Sequence, residues 1–233
     1  MSIEDIKIFI LVGGFGTRLR SVVDDVPKPM APINNKPFLA YKIETIREYL
    51  PKNQIYLLTH YMSDYIKDYY SNDRSIHIIR ESEPLGTGGS IKNAISILNL
   101  NSEDRLLITN GDTYIKPNYK AFVELDSNDI LILAAYQKIC DRYETLEITN
   151  GEVISFLGRK KGVQDSYING GCYFFNDLSF FYEINDKVFS IEDKFRKYNN
   201  KKIRAFMYNG LFIDIGIPED YKLMQTHMSK NEK

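Results

Sequence analysis

The fold is decided by residues 6–18, IKIFILVGGFGTR, in which a short apolar run ends directly in a glycine-rich loop. The apolar run at 6–12 predicts a strand that is buried on both faces. Glycines let a backbone adopt positive φ and leave N–H groups free to point at an anion. In an open α/β sheet, ligands bind beyond the carboxyl ends of the strands, which is where this loop lies. The loop is a candidate phosphate site, although the glycines alone would equally suit a tight strand-to-helix turn with a solvated arginine.

Short apolar runs alternate with amphipathic segments along the first 140 residues. Strands are predicted at residues 6–12, 54–59, 75–79, 105–109 and 130–136, and helices at 38–49, 62–70 and 90–98. This alternation implies right-handed crossover connections and a mostly parallel sheet. The prediction is therefore an α/β fold whose first half, residues 1–140, binds a nucleotide.

The pattern changes beyond about residue 140. Two strand-like runs at 145–149 and 153–156 are joined through Asn150-Gly151, a pair that suits the type I′ turn of a hairpin. Further strands are predicted at 167–175 and 202–208, and helices near 190–198 and 218–228. We expect residues 141–229 to add a small mixed lobe to the same sheet. The chain is then a single domain, 1–229, with a tail at 230–233.

Composition excludes several classes of protein. The 233 residues carry a formal net charge of −1, so the basic surface of a nucleic-acid-binding protein is absent. No apolar stretch approaches the roughly 18 residues that a membrane span requires. The start, MSIEDIKIFILVGG, lacks the features of a secretory signal, so a cytoplasmic protein is expected. The three histidines are scattered along the chain, and no catalytic or metal-binding histidine is predicted.

Two basic residues follow the glycine loop. Arg18 ends it, and Lys28 lies between Pro27 and Pro29. A proline restricts the residue before it to extended conformations, so we expect Lys28 to lie on a stiff, extended segment. A lysine between prolines is, by itself, more typical of a surface loop. Near a glycine loop, however, a fixed cation suits a triphosphate.

Residues 13–19, GGFGTRL, together with the following Lys28-Pro29, resemble the opening of the sugar-1-phosphate nucleotidyltransferase family. The family departs from this chain at Val12, where it usually has alanine, and at Arg20-Ser21, where it has proline and threonine. The resemblance implies a Rossmann-like nucleotidyltransferase fold in which the loop wraps the triphosphate. It assigns nucleotide binding to Leu11, Gly13, Gly14, Gly16, Thr17 and Arg18, with Arg18 and Lys28 catalytic through their contacts with the phosphates.

The segment 81–89, ESEPLGTGG, resembles the loop with which this family recognises the nucleobase. The resemblance assigns nucleotide binding to Glu81, Leu85, Gly86, Thr87 and Gly88. The alternative is a glycine-rich helix start in which Thr87 is the N-cap.

Two aspartates resemble the metal ligands of the family. Asn110-Gly111-Asp112 resembles its G-D metal loop, although such a tripeptide alone would be read as a turn. The run 212–221, FIDIGIPEDY, resembles the family's W-x-D-I-G-x-P-E-D-Y, with Phe212 in place of tryptophan. The resemblance makes Asp112 and Asp214 catalytic ligands of Mg²⁺ and places Gly111 at the nucleotide. Because each aspartate ends a strand-like run beside a glycine, we expect both at the carboxyl edge of one sheet.

Three further matches concern the sugar. YINGG at 167–171 resembles the family's I-N-A-G, and SIE at 190–192 resembles a segment of mannose-type guanylyltransferases, although acids in the first turn of a helix explain it equally well. In the run 156–161, FLGRKK, the family's glutamate is missing and Arg159 aligns with its phosphate-binding lysine. The resemblance assigns the sugar phosphate to Arg159, Asn169, Gly170 and Glu192; Lys160 or Lys161 could replace Arg159.

Within the family, the chain most resembles guanylyltransferases that act on D-glycero-alpha-D-manno-heptose 1-phosphate. The implied reaction joins GTP to that sugar, releases pyrophosphate and yields GDP-heptose for a surface polysaccharide such as capsule. A mannose-1-phosphate guanylyltransferase and an N-acetylmuramate 1-phosphate uridylyltransferase are alternatives, as is a regulatory homologue that binds nucleotide sugars without catalysis. A dinucleotide-dependent oxidoreductase is disfavoured because G-x-G-x-x-G is missing. Neither nucleic acid nor membrane is an expected partner, and a homodimer stays open.

Overall fold

The computed structural model describes residues 2–125, 129–198 and 202–231. The first half contains β1 (Lys7–Leu11), β2 (Pro32–Ile33), β3 (Lys36–Pro37), α1 (Phe38–Arg47), β4 (Ile55–Thr59), α2 (Ser63–Tyr69), β5 (Ile76–Arg80), α3 (Gly86–Ile97), β6 (Leu106–Asn110), β7 (Thr113–Tyr114), α4 (Tyr119–Val123) and β8 (Ile130–Ile139). The second half contains β9 (Thr145–Thr149), β10 (Glu152–Gly158), β11 (Gln164–Phe175), α5 (Ser179–Tyr182), α6 (Ile191–Phe195), β12 (Ile203–Tyr208), β13 (Ile213–Asp214) and α7 (Pro218–Asn231). The last helix includes two residues of the expected tail, and Glu232 and Lys233 lie outside the described residues.

One nine-stranded sheet runs through both halves, in the order β5-β4-β1-β6-β11-β8-β12-β10-β9. The pairs β4–β5, β1–β4, β1–β6 and β8–β12 are parallel, whereas β11 is antiparallel to both of its neighbours, β6 and β8. The predicted α/β fold with a mixed sheet is confirmed. The position of β11 was not predicted, because a strand from the second half enters between two strands of the first half.

Both faces of the central strands β1, β6 and β8 are covered, which explains their continuous apolar runs in the sequence. In β1, Ile8 and Ile10 belong to one apolar core and Phe9 to the other, and all three side chains are inaccessible to solvent. The same alternation places Leu131 and Leu133 of β8 in the first core, with Ile130 and Ile132 in the second. The strands are thus held by burial on two sides, and their carboxyl ends are left for the loops.

The predicted hairpin is confirmed. Asn150 and Gly151 both have positive φ, at +52° and +77°, as a type I′ turn requires. The turn at Asn150-Gly151 joins β9 to β10, and the two strands pair antiparallel. This hairpin extends the edge of the main sheet, so the mixed lobe and the parallel region are one continuous structure.

Two small ladders lie outside the main sheet. β2 pairs with β3, and β7 pairs with β13, both antiparallel. A third apolar cluster fills the space beneath them and includes Leu19, Phe38, Ile213 and Met224. Because α7 supplies Met224, this helix packs against the segment that follows the glycine loop. Among the described residues, none of the helices has the length and apolar character needed to cross a membrane.

One cation lies inside the first core. Lys42 of α1 is fully buried, and among the described residues none accepts a hydrogen bond from its Nζ atom. That atom is 6.0 Å from the ring centroid of Tyr119, which is also buried. Burial lowers the pKa of Lys42 to about 8, because a charged amine loses its hydration there. Lys42 therefore destabilises the folded protein at neutral pH.

We predict that Lys42→Met raises the free energy of unfolding at pH 7 by about 1–3 kcal/mol, because the methionine carries no charge to desolvate. An unfolded lysine keeps its proton to about pH 10.5, whereas folded Lys42 loses it near pH 8. The unfolded state thus binds more protons between these values, and the wild-type protein recovers stability as pH rises through them. The difference in the free energy of unfolding between Lys42→Met and wild type should therefore shrink over the same pH range. Urea unfolding at pH 7 and pH 10 measures it.

Lys222→Met is the matched control, since Lys222 is exposed on α7. The free energy of unfolding of Lys222→Met should be close to that of wild type at both pH values. A Lys42→Met advantage that stays constant between pH 7 and pH 10 would contradict the assignment of a lowered pKa to Lys42.

Candidate active site

The glycine loop leaves β1 without forming a regular helix and lies against Lys28. Gly16 has a φ of +59°, and a Cβ atom on it would stand 2.7 Å from the Cβ of Lys28. A side chain at Gly16 would therefore be strained in its backbone and would displace the lysine. Lys28 itself begins a short 3-10 turn, Lys28–Met30, so the expectation of an extended segment there is wrong. The turn closes through the N–H of Ala31, which donates to the carbonyl of Lys28.

The ammonium group of Lys28 lies between two carboxylates. Its Nζ donates to Asp112 Oδ2 at 2.7 Å and to Asp214 Oδ1 at 3.3 Å. The lysine side chain is only 10% exposed, while those of Asp112 and Asp214 are 36% and 21% exposed. Both aspartates can therefore be reached from solvent on the side away from the lysine.

Asp214 reaches this position through the ladder outside the main sheet. It pairs with Thr113 across β13 and β7, and the N–H of Ile215 donates to the carbonyl of Asp112 at 3.1 Å. Asp112 follows β6 of the main sheet. The predicted convergence of the two aspartates is observed, but the expectation that both lie at the edge of one sheet is wrong for Asp214.

Electrostatic interactions among these three side chains shift their pKa values. Burial favours a neutral Lys28, but the two carboxylates outweigh it and raise the pKa of the lysine. For Asp112, the ion pair with Lys28 outweighs burial and lowers the pKa. Burial and the nearby charge of Asp112 raise the pKa of Asp214. One ammonium thus faces two carboxylates, and the remaining negative charge favours a further cation.

The donor set fits a divalent cation of the magnesium type. Mg²⁺ takes one or two protein carboxylates and completes its octahedron with water and substrate phosphates. Among the residues described, no group of three or more His, Cys, Asp and Glu side chains is arranged to hold a metal ion. Asp112 and Asp214 would thus be the protein's carboxylate ligands. A Cβ atom on Gly216 would lie 2.9 Å from Asp214 Oδ1 and 3.3 Å from Arg18 Nη2, so this glycine keeps the approach open.

Two cavities meet at Asp112. The smaller, of about 200 Å³, is lined by Leu11, Val12, Gly14, Gly16, Thr17, Arg18, Lys28, Pro29, Asp112 and Gly216. The larger, of about 330 Å³, is lined by Leu11, Gly13, Gly14, Phe15, His60, Glu81, Pro84, Leu85, Gly86, Thr87, Ser90, Asn110 and Asp112. The glycine loop separates them and contributes to both. A cationic recess and a less polar recess therefore form one cleft, with a carboxylate at their junction.

This cleft includes nearly all of the residues predicted to bind the nucleotide. It also contains residues that the sequence analysis missed, among them Phe15, His60 and Asn110. His60 follows the last residue of β4, and its Nδ1 atom is 3.3 Å from the carbonyl oxygen of Glu81. Its position directly after a parallel strand was the available signal, because side chains at these carboxyl ends face the cleft.

Three predicted glycines lie behind the cleft surface. A Cβ atom on Gly88 would stand 2.1 Å from the ring of Phe189, and one on Gly170 would stand 2.6 Å from Leu133 Cδ2. A Cβ atom on Gly111 would stand 2.4 Å from Val12 Cγ1. The structure gives these glycines a packing role that permits close approach of neighbouring segments, and none of the three lines either cavity.

Asn169 and Glu192, both predicted at the sugar, are connected through Tyr173. The hydroxyl of Tyr173 lies 3.1 Å from Asn169 Oδ1 and 3.3 Å from Glu192 Oε1, and the tyrosine is fully buried. Asn169 Nδ2 also lies 3.4 Å from a carboxylate oxygen of Glu144, which forms an ion pair with Arg196. Tyr173, Glu144 and Arg196 were not predicted from the sequence, because no motif marks them.

The predicted phosphate-binding arginine is separate from this network. Arg159 follows the end of β10 and is exposed, as are Lys160 and Lys161. Among the described acidic residues, none forms an ion pair with Arg159. The assignment of these three side chains to the sugar phosphate stays a prediction.

Comparison with known proteins identifies relatives over nearly the whole chain. The family model for Nucleotidyl transferase matches residues 7–231. The chain is 39% identical over 234 residues to D-glycero-alpha-D-manno-heptose 1-phosphate guanylyltransferase of Aneurinibacillus thermoaerophilus, covering 95% of this chain and 98% of that protein. It is 35% identical over 227 residues to the protein of the same name from Campylobacter jejuni, covering 92% and 96%. The crystal structure of HddC from Yersinia pseudotuberculosis complexed with GMP-PN has a TM-score of 0.82 and 37% identity, covering 96% of this chain and 99% of that one.

We predict that Lys28→Met strengthens the binding of Mn²⁺ to the nucleotide-free protein by about tenfold or more, because it removes a cation that competes for the same carboxylates. The measurement is the free Mn²⁺ signal in an electron paramagnetic resonance titration, which needs no turnover. Lys36→Met is the control, since Lys36 pairs with Glu44 instead. Mn²⁺ binding in Lys28→Met that is no tighter than in Lys36→Met would show that the lysine does not compete with the metal.

Proposed function

The chain belongs to the nucleotidyl transferase family, and we propose that it transfers GMP from GTP to D-glycero-alpha-D-manno-heptose 1-phosphate, forming GDP-heptose and pyrophosphate. Enzymes of this family generally use a divalent metal ion, and we propose Mg²⁺ here. The observation that carries the proposal is the ion triplet of Lys28, Asp112 and Asp214 at the junction of two recesses. The relatives named for heptose 1-phosphate support the choice of sugar.

The reaction requires alignment of two anions more than it requires a base. The phosphate of the sugar is already ionised, so no side chain has to remove a proton before it attacks the α-phosphorus of GTP. Mg²⁺ held by Asp112 and Asp214 would supply charge stabilisation at the reacting phosphates. Arg18 and Lys28, which line the smaller cavity, would neutralise the pyrophosphate as it leaves.

The larger recess suits the nucleoside. Its walls combine the backbone of the glycine loop with Pro84 and Leu85, and the buried Glu81 lies at one side. The Glu81 carboxylate accepts a hydrogen bond from the N–H of Leu85 at 3.4 Å, which anchors the loop before α3. We infer that the backbone of residues 85–87 and the side chain of Glu81 recognise guanine.

The sugar is proposed to lie toward β11 and α6. Gly171 of β11 approaches Asn110 so closely that a Cβ atom on it would stand 2.3 Å from Asn110 Nδ2, and Asn110 lines the larger recess. Asn169 lies two residues before Gly171 and accepts a hydrogen bond from its N–H at 3.0 Å. Asn169 and Glu192 are therefore proposed to bind sugar hydroxyls, and Arg159 the sugar phosphate.

We predict that GTP with D-glycero-alpha-D-manno-heptose 1-phosphate gives the highest kcat/KM in a screen of pyrophosphate release. GTP, UTP, CTP and dTTP are each tested against heptose, mannose, glucose and N-acetylmuramate 1-phosphates. A preference of about tenfold or more for another triphosphate, which corresponds to one discriminating contact, would overturn the guanylyltransferase assignment. The absence of release with every pair would favour a regulatory homologue that binds nucleotide sugars without turnover.

We predict that Asp112→Asn and Asp214→Asn each lower kcat by about 100-fold or more while the protein stays folded, because each removes a charged ligand from one cation. Since both serve the same ion, the double variant should be little slower than the slower single variant. The measurement is the steady-state rate of pyrophosphate release with saturating GTP and sugar 1-phosphate.

Asp73→Asn is the matched control, because Asp73 pairs with Arg47 in the first half of the chain, away from the ion triplet. Circular dichroism and thermal unfolding verify that each variant is folded. Near wild-type turnover in both single variants, or full wild-type activity in excess chelator, would refute the shared metal site.

A further inference from the structure

The segment before α6 is joined to the start of α3 by backbone hydrogen bonds. The N–H of Gly88 donates to the carbonyl of Phe189 at 3.0 Å, and the N–H of Phe189 donates to the carbonyl of Leu85 at 3.0 Å. The N–H of Ile191 donates to the side-chain oxygen Oγ1 of Thr87 at 3.0 Å. These contacts connect the second half of the chain to the loop that borders the larger recess.

The carboxylate of Glu192 lies close to three hydroxyl groups, two of which donate to the same oxygen. Thr87 Oγ1 donates to Oε2 at 2.9 Å, and Ser190 Oγ donates to the same oxygen at 2.6 Å. The hydroxyl of Tyr173 lies 3.3 Å from Oε1. Ser190 and Tyr173 belong to the same half of the chain as Glu192, whereas Thr87 belongs to the other half.

The hydroxyl of Thr87 has a fixed direction. It accepts the N–H of Ile191, and a hydroxyl has only one proton to donate, which here goes to Glu192. The β-branched side chain also restricts rotation about χ1. Thr87 is not the N-cap that the sequence suggested. Leu85 occupies that position, and its apolar side chain makes no capping hydrogen bond. Both hydrogen bonds of the Thr87 hydroxyl connect the start of α3 to the segment that begins α6.

We propose that Thr87 is a positioning residue, through which the nucleotide-binding loop sets the orientation of the Glu192 carboxylate toward the sugar. This inference rests on the proposed function, in which Glu192 binds sugar hydroxyls and residues 85–87 border the base. Thr87 lines the larger recess, so any shift of the loop on nucleotide binding is transmitted to Glu192. Affinity for the sugar phosphate thus depends on a residue of the nucleotide site.

Thr87→Val tests the proposal, since valine keeps the shape and removes the hydroxyl. KM for heptose 1-phosphate should rise about tenfold, the effect of losing one hydrogen bond to a charged group, while KM for GTP changes by less than about threefold. Thr87→Ser restores the hydroxyl and should recover most of the loss. Adding Glu192→Gln to Thr87→Val should have much less effect than Glu192→Gln in the wild type, because both changes act on one contact.

Hydrogen exchange gives a readout that does not require turnover. In Thr87→Val, the amides of residues 186–195 should exchange faster and should lose any protection that GTP confers in the wild type. Thr226→Val, at an exposed threonine of α7, is the control and should leave that segment unchanged.

Two results would overturn the proposal. One is an equal rise of both KM values in Thr87→Val that Thr87→Ser does not reverse; the other is unchanged exchange in the 186–195 segment. If the wild-type protein turns over no sugar 1-phosphate with GTP, the proposed function fails, and the exchange experiment still decides whether Thr87 links the two segments.

Discussion

The site depends on one electrostatic constraint, which is that two carboxylates must share a cation. Asp112 and Asp214 both contact the ammonium of Lys28. Without a positive charge between them, the two carboxylates would repel each other, and the hydration that they lose on burial would not be compensated. Each of the three side chains comes from a different element, namely the end of β6, the β13 ladder and the 3-10 turn after the glycine loop. The glycines at 16 and 216 leave room for this convergence, since a side chain on either would meet Lys28. A metal ion binding here must share the carboxylates with an ammonium that is already in place.

Several contacts attach the second half of the chain to the first, including the pairs β8–β12 and β7–β13. β11 enters the main sheet between β6 and β8, and the segment before α6 bonds to the start of α3. A polar network around the buried Tyr173 and Glu144 extends from Arg196 through Asn169 to Glu192. Its members have partners, so these hydrogen bonds fix the orientation of the side chains. Lys42 is the opposite case, a buried cation whose Nζ has no acceptor among the described residues. Satisfied polar groups thus position the site, while Lys42 lowers stability in the core beneath it.

Much of the fold could be predicted from the sequence because its signals are local. Apolar runs of 5–7 residues, amphipathic helices and the Asn150-Gly151 turn each depend on neighbouring residues, and the structure contains all of the predicted elements within a few residues. The start of α3 was placed too late, at residue 90 instead of Gly86, because glycines normally disfavour a helix. Contacts with Phe189 override that propensity. The cleft residues of the glycine loop and the 81–87 loop were predicted from the family resemblance, and for the glycine loop its position after a predicted strand supported the assignment.

The sequence by itself determined the strand and helix pattern, the glycine-rich loop after β1 as a candidate phosphate site, and the family resemblance that singled out Asp112 and Asp214. Only the tertiary structure decided that Asp214 arrives on a separate ladder, that β11 divides the parallel strands, and that Thr87 and Tyr173 hold Glu192. Each of these relations joins residues far apart in the chain: Thr87 and Glu192, for example, are 105 positions apart. Local propensity carries no information about such pairs, because their contact depends on how whole elements pack and on which polar groups burial leaves in need of a partner.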